Sequence, residues 1–184
     1  MLVKENCTLY SGGMKGAETA FGEAAEKWNI KEVNFCYKDQ KTNRQKNTVV
    51  LSDEDLKRGD ISMELVSKMM SRTYYETEKI RKVLQTIFHM VNKGHQVFVI
   101  GTILEDNTVK GGTGWAVELA KLFNRPLSVY DQEKDVWYGW IQGAWVQDTP
   151  KIEHETFVGS GSRNLTVNGA KAIAGLFEEA FASL

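Results

Sequence analysis

One pattern constrains this chain more than any other, and it occurs three times: a short apolar run, a glycine-rich segment, then a helix-like stretch. Val97-Phe98-Val99-Ile100-Gly101-Thr102 passes through a polar turn into Lys110-Gly111-Gly112-Thr113-Gly114 and a helical pattern that ends before Pro126. Residues 7–10 run into Ser11-Gly12-Gly13-Met14-Lys15-Gly16, and Thr156-Phe157-Val158 runs into Gly159-Ser160-Gly161-Ser162-Arg163. Short strands alternating with helices predict an α/β fold built on a parallel sheet. In such sheets ligands bind beyond the carboxyl ends of the strands, where helix N-termini offer free N–H groups to an anion. All three glycine segments fall at such ends, and together they predict one pocket.

The stretches between them complete the fold. Ala17, Ala20, Phe21, Ala24, Ala25 and Trp28 recur at helical spacing, and Val33, Phe35 and Tyr37 alternate as in a strand. Residues 38–60 are polar and read as an exposed insertion able to fold over a ligand, with a candidate strand at 48–51 and a helix start at Ser52, with Asp55 at the third helical position. Residues 61–92 are helical throughout, long enough to predict a break near 71–75, and Lys93-Gly94-His95 reads as a helix end. Residues 131–149 hold Trp137, Tyr138, Trp140 and Trp145 and predict a small antiparallel hairpin turning at Gly143. After residue 163 a last amphipathic helix carries Ile173, Phe177 and Phe181. One domain over residues 1–184 accounts for all of this.

Composition narrows the function. A net charge of −1 offers polyanions no global attraction, which argues against nucleic-acid binding. Cys7 and Cys36 sit in or beside apolar runs, as buried free thiols do in a reducing compartment. No segment approaches the roughly 20 apolar residues of a membrane helix, and residues 1–6 lack the apolar core of a signal peptide, so a cytoplasmic location is expected. His89, His95 and His154 are scattered, no Cys-x-x-Cys occurs, and neither a metal nor another cofactor is expected.

Ser11-Gly12-Gly13-Met14-Lys15-Gly16-Ala17-Glu18 resembles the Ser-Gly-Gly-Ala-x-Gly-Ala-Asp segment of the SLOG superfamily, which groups YpsA-like proteins, DprA and the LOG phosphoribohydrolases; Glu18 stands where that pattern usually has Asp. Gly111-Gly112-Thr113-Gly114 and the helix after it resemble the superfamily's second glycine motif. Its usual opening unit, a strand followed by Gly-Ser-Arg, is matched at residues 156–169, which here come last. Moving residues 156–184 ahead of residue 7 restores the ordinary order. The resemblance therefore implies a Rossmann-like three-layer parallel sheet with helices on both faces, circularly permuted, plus the aromatic β-hairpin.

It also implies a pocket for a nucleotide-derived ligand. Backbone amides of Gly12, Gly13, Gly112, Thr113 and Gly114 are candidates to hold phosphates, with Gly16, Gly101, Thr102, Gly111, Gly159 and Ser160 beside them. Ser11, Thr113 and Ser162 supply hydroxyls, Arg163 suits a bidentate phosphate contact, and Glu18 suits ribose hydroxyls. The expected function is binding of an ADP-ribose or cyclic-nucleotide type of molecule, for sensing or sequestration in bacterial or phage defence-related signalling, by a protein that pairs with copies of itself. The alternative is a LOG-like nucleotide phosphoribohydrolase or N-glycosidase. That reading places Glu118 and Arg72 at the chemistry, although Trp115 replaces the Thr of the LOG motif.

Overall fold

The computed structural model describes residues 2–75 and 77–182. Eight strands form one sheet: β1 (Thr8–Ser11), β2 (Lys31–Tyr37), β3 (Thr48–Leu51), β4 (Gln96–Gly101), β5 (Leu127–Asp131), β6 (Val136–Ile141), β7 (Ala144–Gln147) and β8 (Thr156–Gly161). Their order is β3-β2-β1-β8-β4-β5-β6-β7, so the last strand in sequence lies at the centre. The pairs from β3 to β5 are all parallel, whereas β6 and β7 run antiparallel. The helices are α1 (Ala17–Lys27), α2 (Asp53–Lys57), α3 (Asp60–Met70), α4 (Glu78–Lys93), α5 (Thr113–Leu122) and α6 (Val167–Phe181).

Strand residues alternate between two cores, as a pleated sheet with helices on both faces requires. Val97, Val99 and Val158 face α3, α4 and α5 through Met63, Val66, Leu84, Met90 and Leu119. Phe98, Ile100 and Phe157 face α1 and α6 through Phe21, Ile173 and Phe177. The chain is therefore the expected three-layer, Rossmann-like α/β fold. No helix among the described residues is long and apolar enough to cross a membrane.

Local signals sit where the sequence places them. Ser52 caps α2, its Oγ accepting from the Asp55 N–H at 3.1 Å. The 61–92 stretch breaks after Met70, where Ser71 takes a left-handed conformation that ends α3. The β6–β7 hairpin turns on Gln142 and Gly143, both at positive φ, which suits a two-residue turn between twisted strands. Residues 38–60 are mostly exposed and carry the expected strand and helix start. They add β3 to the sheet edge, and their first loop is held inward: Arg44 Nε donates to the buried Glu32 carboxylate at 2.6 Å, while its Nη2 reaches Glu26 at 2.7 Å.

The centre of the sheet is crowded. A Cβ on Gly159 would run into the Phe21 ring, because α1 lies directly against β8. Gly159 is thus a packing glycine rather than a ligand contact. Gly159→Ala is expected to destabilise the protein by about 1–3 kcal/mol, seen as a lower urea midpoint with unchanged slope. An unchanged midpoint would show that α1 does not press on β8 as described.

Candidate functional site

A cavity of about 620 Å³ opens at the carboxyl ends of β1, β8 and β4. Its position follows from topology: β8 leads to α6 on one face and the neighbouring β4 leads to α5 on the other, leaving a crevice between the two connections. The opposite wall is apolar and comes from α4, through Ile80, Val83, Ile87 and Met90.

The first glycine segment is organised around a carboxylate. Glu18, in the first turn of α1, is buried, and its Oε2 accepts from the Met14 N–H at 3.0 Å while Oε1 accepts from the Ser160 hydroxyl at 3.2 Å. The Gly12 backbone also lies close to it, and an added Cβ on Gly12 would lie 2.7 Å from Oε2. The structure therefore puts the protein's own carboxylate where the sequence suggests a phosphate on the Gly12 amide. Burial pushes the Glu18 carboxyl above its usual range, opposed by those hydrogen bonds and by the nearby Arg163 charge. The rest of the segment faces protein. Ser11 Oγ donates to the Gly159 carbonyl at 2.7 Å, Gly13 is pressed against the Arg44 backbone, and its carbonyl accepts from the Asn43 and Arg44 N–H groups. Gly16, at φ 92°, lies against the backbone of Ser162 and Arg163.

The second segment is open. Gly111 takes φ 70°, Gly112 is helical at φ −61°, and a Cβ on either would meet nothing within 4 Å. The N–H groups of Gly111, Gly112 and Thr113 have no hydrogen-bond partner among the described residues. They stand at the N-terminus of α5, the positive end of a buried ten-residue helix. Arg72 holds this loop in shape by donating to the Gly111 carbonyl at 3.0 Å, the Val109 carbonyl at 2.9 Å and Thr108 Oγ1 at 3.0 Å. Gly114 lies directly against Val109 and the Arg72 guanidinium, so it is a packing position. Gly101 and Thr102 line the cavity at the end of β4, and the Thr102 carbonyl accepts from the Lys110 N–H at 3.0 Å.

The third segment supplies Ser160 at the floor and Ser162 and Arg163 at the mouth, where Ser162 Oγ accepts from the Asn164 N–H at 3.0 Å. Lys79 and Lys110 also line the cavity, and neither they nor Arg163 forms an ion pair among the described residues. The cavity is polarised, with a carboxylate at its floor and three cations with unengaged amides about its rim.

The remaining candidates lie elsewhere. Glu118 is buried but pairs with Lys121 at 2.8 Å, and that ammonium sits 3.8 Å from the Trp140 ring centroid; Glu118 does not line the cavity. Trp115 is buried against Tyr74, their ring centroids 5.7 Å apart. The hairpin aromatics pack on the protein, with Trp145 Nε1 donating to the Asn107 carbonyl at 3.0 Å. Sequence reasoning missed Gln40, Lys79 and the α4 wall, and gave Met14, Lys110 and Gly161 no role of their own within the glycine segments; all of them line the cavity. One signal was available: Ile80 and Val83 widen the apolar stripe of α4 beyond what the core uses, and Ile80 remains 43% exposed. Compared with protein-family models, with curated proteins and with solved structures, the chain matches none of them.

Glu18 makes stability depend on pH. Its carboxyl is raised above the unfolded value of about 4.5, so the folded state binds the proton more tightly and loses stability as pH rises through the raised value. Glu18→Gln keeps an acceptor for the Met14 amide without the buried charge. Its urea midpoint is expected to gain on wild type as pH rises above about 4.5 and to level off once the Glu18 carboxyl has ionised in the folded state. Midpoints that run parallel over that range would contradict the burial argument.

Proposed function

We propose that this protein is a binding module for a nucleotide-derived small molecule of ADP-ribose or cyclic-nucleotide type, and that it senses or sequesters that molecule in bacterial or phage defence-related signalling. One observation carries the reading: three unengaged amides at the start of α5 share a cavity with Lys110, Arg163 and an apolar wall. Unengaged amides with cations suit phosphate oxygens. The apolar wall suits a base, and the Glu18 carboxylate at the floor suits the donors of sugar hydroxyls.

The strand order supports a circularly permuted YpsA-like SLOG domain. Counted from β8 instead of β1, the order β3-β2-β1-β8-β4-β5 becomes 4-3-2-1-5-6, which is the 3-2-1-4-5 order of dinucleotide-binding folds with β3 added at the edge. The buried free thiols Cys7 and Cys36 fit a reducing, cytoplasmic setting. The hydrolase alternative is disfavoured by geometry. It needs Glu118 beside the ribose and Arg72 free to act, whereas Glu118 is paired outside the cavity and Arg72 holds a loop.

Incubation with ADP-ribose, followed by chromatography before and after heat denaturation, separates binding from turnover. Intact ligand released only on denaturation is expected; free adenine, with the two riboses left joined by their diphosphate, would favour the enzyme. Gly112→Val is the matched control. Valine has room there and the backbone is ordinary helix, so the melting temperature should hold, while the side chain occupies the phosphate approach. Affinity for ADP-ribose is expected to fall by at least about tenfold, a loss of roughly 1.4 kcal/mol. Undiminished binding would place the ligand elsewhere.

A further inference from the structure

The cavity residues follow the order of the strands beneath them. Gln40 follows the end of β2, Met14 and Glu18 follow β1, Ser160 and Arg163 belong to β8 and its loop, and residues 110–113 follow β4. The strands stand side by side in the order β2-β1-β8-β4. Three inter-strand steps of about 4.8 Å give a line roughly 14 Å long, the scale of an extended nucleotide. Its chemistry changes along its length. The β4 end offers amides and cations, the middle offers a carboxylate, and the β2 end offers an amide side chain.

That amide side chain is held in one orientation. The Gln40 N–H donates to the Tyr37 carbonyl at 3.1 Å, and its Oε1 accepts from the Tyr37 N–H at 3.0 Å. Because a backbone N–H can bond only to the side-chain oxygen, the NH₂ group must face the other way. There its partner is the Met14 thioether sulfur at 3.3 Å, a weak acceptor. A half-buried, oriented donor of two hydrogens therefore lines the cavity with its acceptor demand poorly met. α4, which packs over β1 and β2, brings Val83 and Ile87 to the same cavity and offers an apolar surface to a planar ring.

We propose that Gln40 is a specificity-determining residue that donates to a ring nitrogen or carbonyl of the ligand's base. The nucleotide lies across the strand ends, its base at β2, its sugar hydroxyls at Glu18 and its phosphates at the start of α5. This rests on the nucleotide reading above and adds the direction in which the ligand lies.

Calorimetric titration of the full chain with ADP-ribose tests it, using wild type, Gln40→Leu and Gln40→Glu, with ribose 5-phosphate as a base-free probe and melting temperature as a check on folding. Both variants remove the donor, and Gln40→Glu keeps the shape and the acceptor for Tyr37. Each is expected to weaken ADP-ribose binding by about tenfold or more, to treat ribose 5-phosphate as wild type does, and to melt as wild type does. ADP-ribose affinity unchanged in both variants would overturn the role of Gln40 and leave the nucleotide reading standing. A loss in Gln40→Leu alone, or a loss accompanied by a lower melting temperature, would make Gln40 a packing residue and overturn it too. Wild type that does not bind ADP-ribose would remove the nucleotide reading, and this inference with it.

Discussion

A parallel sheet is open where two neighbouring strands send their connections to opposite faces, and here that happens between β8 and β4. Everything about the cavity depends on this divergence. The β8 side is narrow: Gly159 meets the Phe21 ring, and Gly161, at φ 153°, lies against the Ile100 carbonyl and Ala17. Small residues at the end of the central strand let α1 and β4 come close, and the crevice forms where their loops part. α4 then crosses β1 and β2 and closes the far side with aliphatic side chains. Fold and site are one arrangement, because the strand that anchors the core also carries Ser160, Ser162 and Arg163 into the cavity.

Charge divides the interior of that cavity. A buried carboxylate is costly unless hydrogen bonds receive it, and Glu18 is received by the Met14 amide of the Gly12 loop and by Ser160. The first glycine loop is thereby closed to an incoming anion. The loop before α5 presents the unengaged amides of Gly111, Gly112 and Thr113 to the cavity, and it is stiffened by the three bonds from Arg72. A ligand that satisfies both ends must bring donors to the floor and negative charge to the rim. Sugar phosphates have that distribution, whereas a simple anion has only half of it.

Much of the fold was legible in the sequence because its determinants are local. Apolar periodicity located the strands and helices, the Ser52 cap and the helix break near Ser71 are matters of neighbouring residues, and the strand–glycine–helix recurrence pointed to one end of the sheet. The three segments do meet at one cavity, through Gly12, Gly101, Gly111, Gly112, Ser160 and Ser162. What sequence could not distinguish was the partner of each glycine. Gly13, Gly16, Gly114 and Gly159 lack side chains so that protein can approach, whereas Gly111 and Gly112 face open space. The same residue type answers both needs. Arg72, Glu118 and Gln40 follow the same logic: each takes its role from partners 39, 3 and 26 positions away, and for Arg72 and Gln40 those partners are brought together only by the folded sheet and its loops.

The most direct measurement is a crystal structure of the protein with ADP-ribose bound. The account predicts a ligand in the crevice between the β8 and β4 connections, its phosphate oxygens within hydrogen-bond distance of the Gly112 and Thr113 N–H groups, with Glu18 still on the Met14 N–H. Phosphates seated on the Gly12 and Met14 amides with Glu18 displaced, or a ligand outside this crevice, would contradict it.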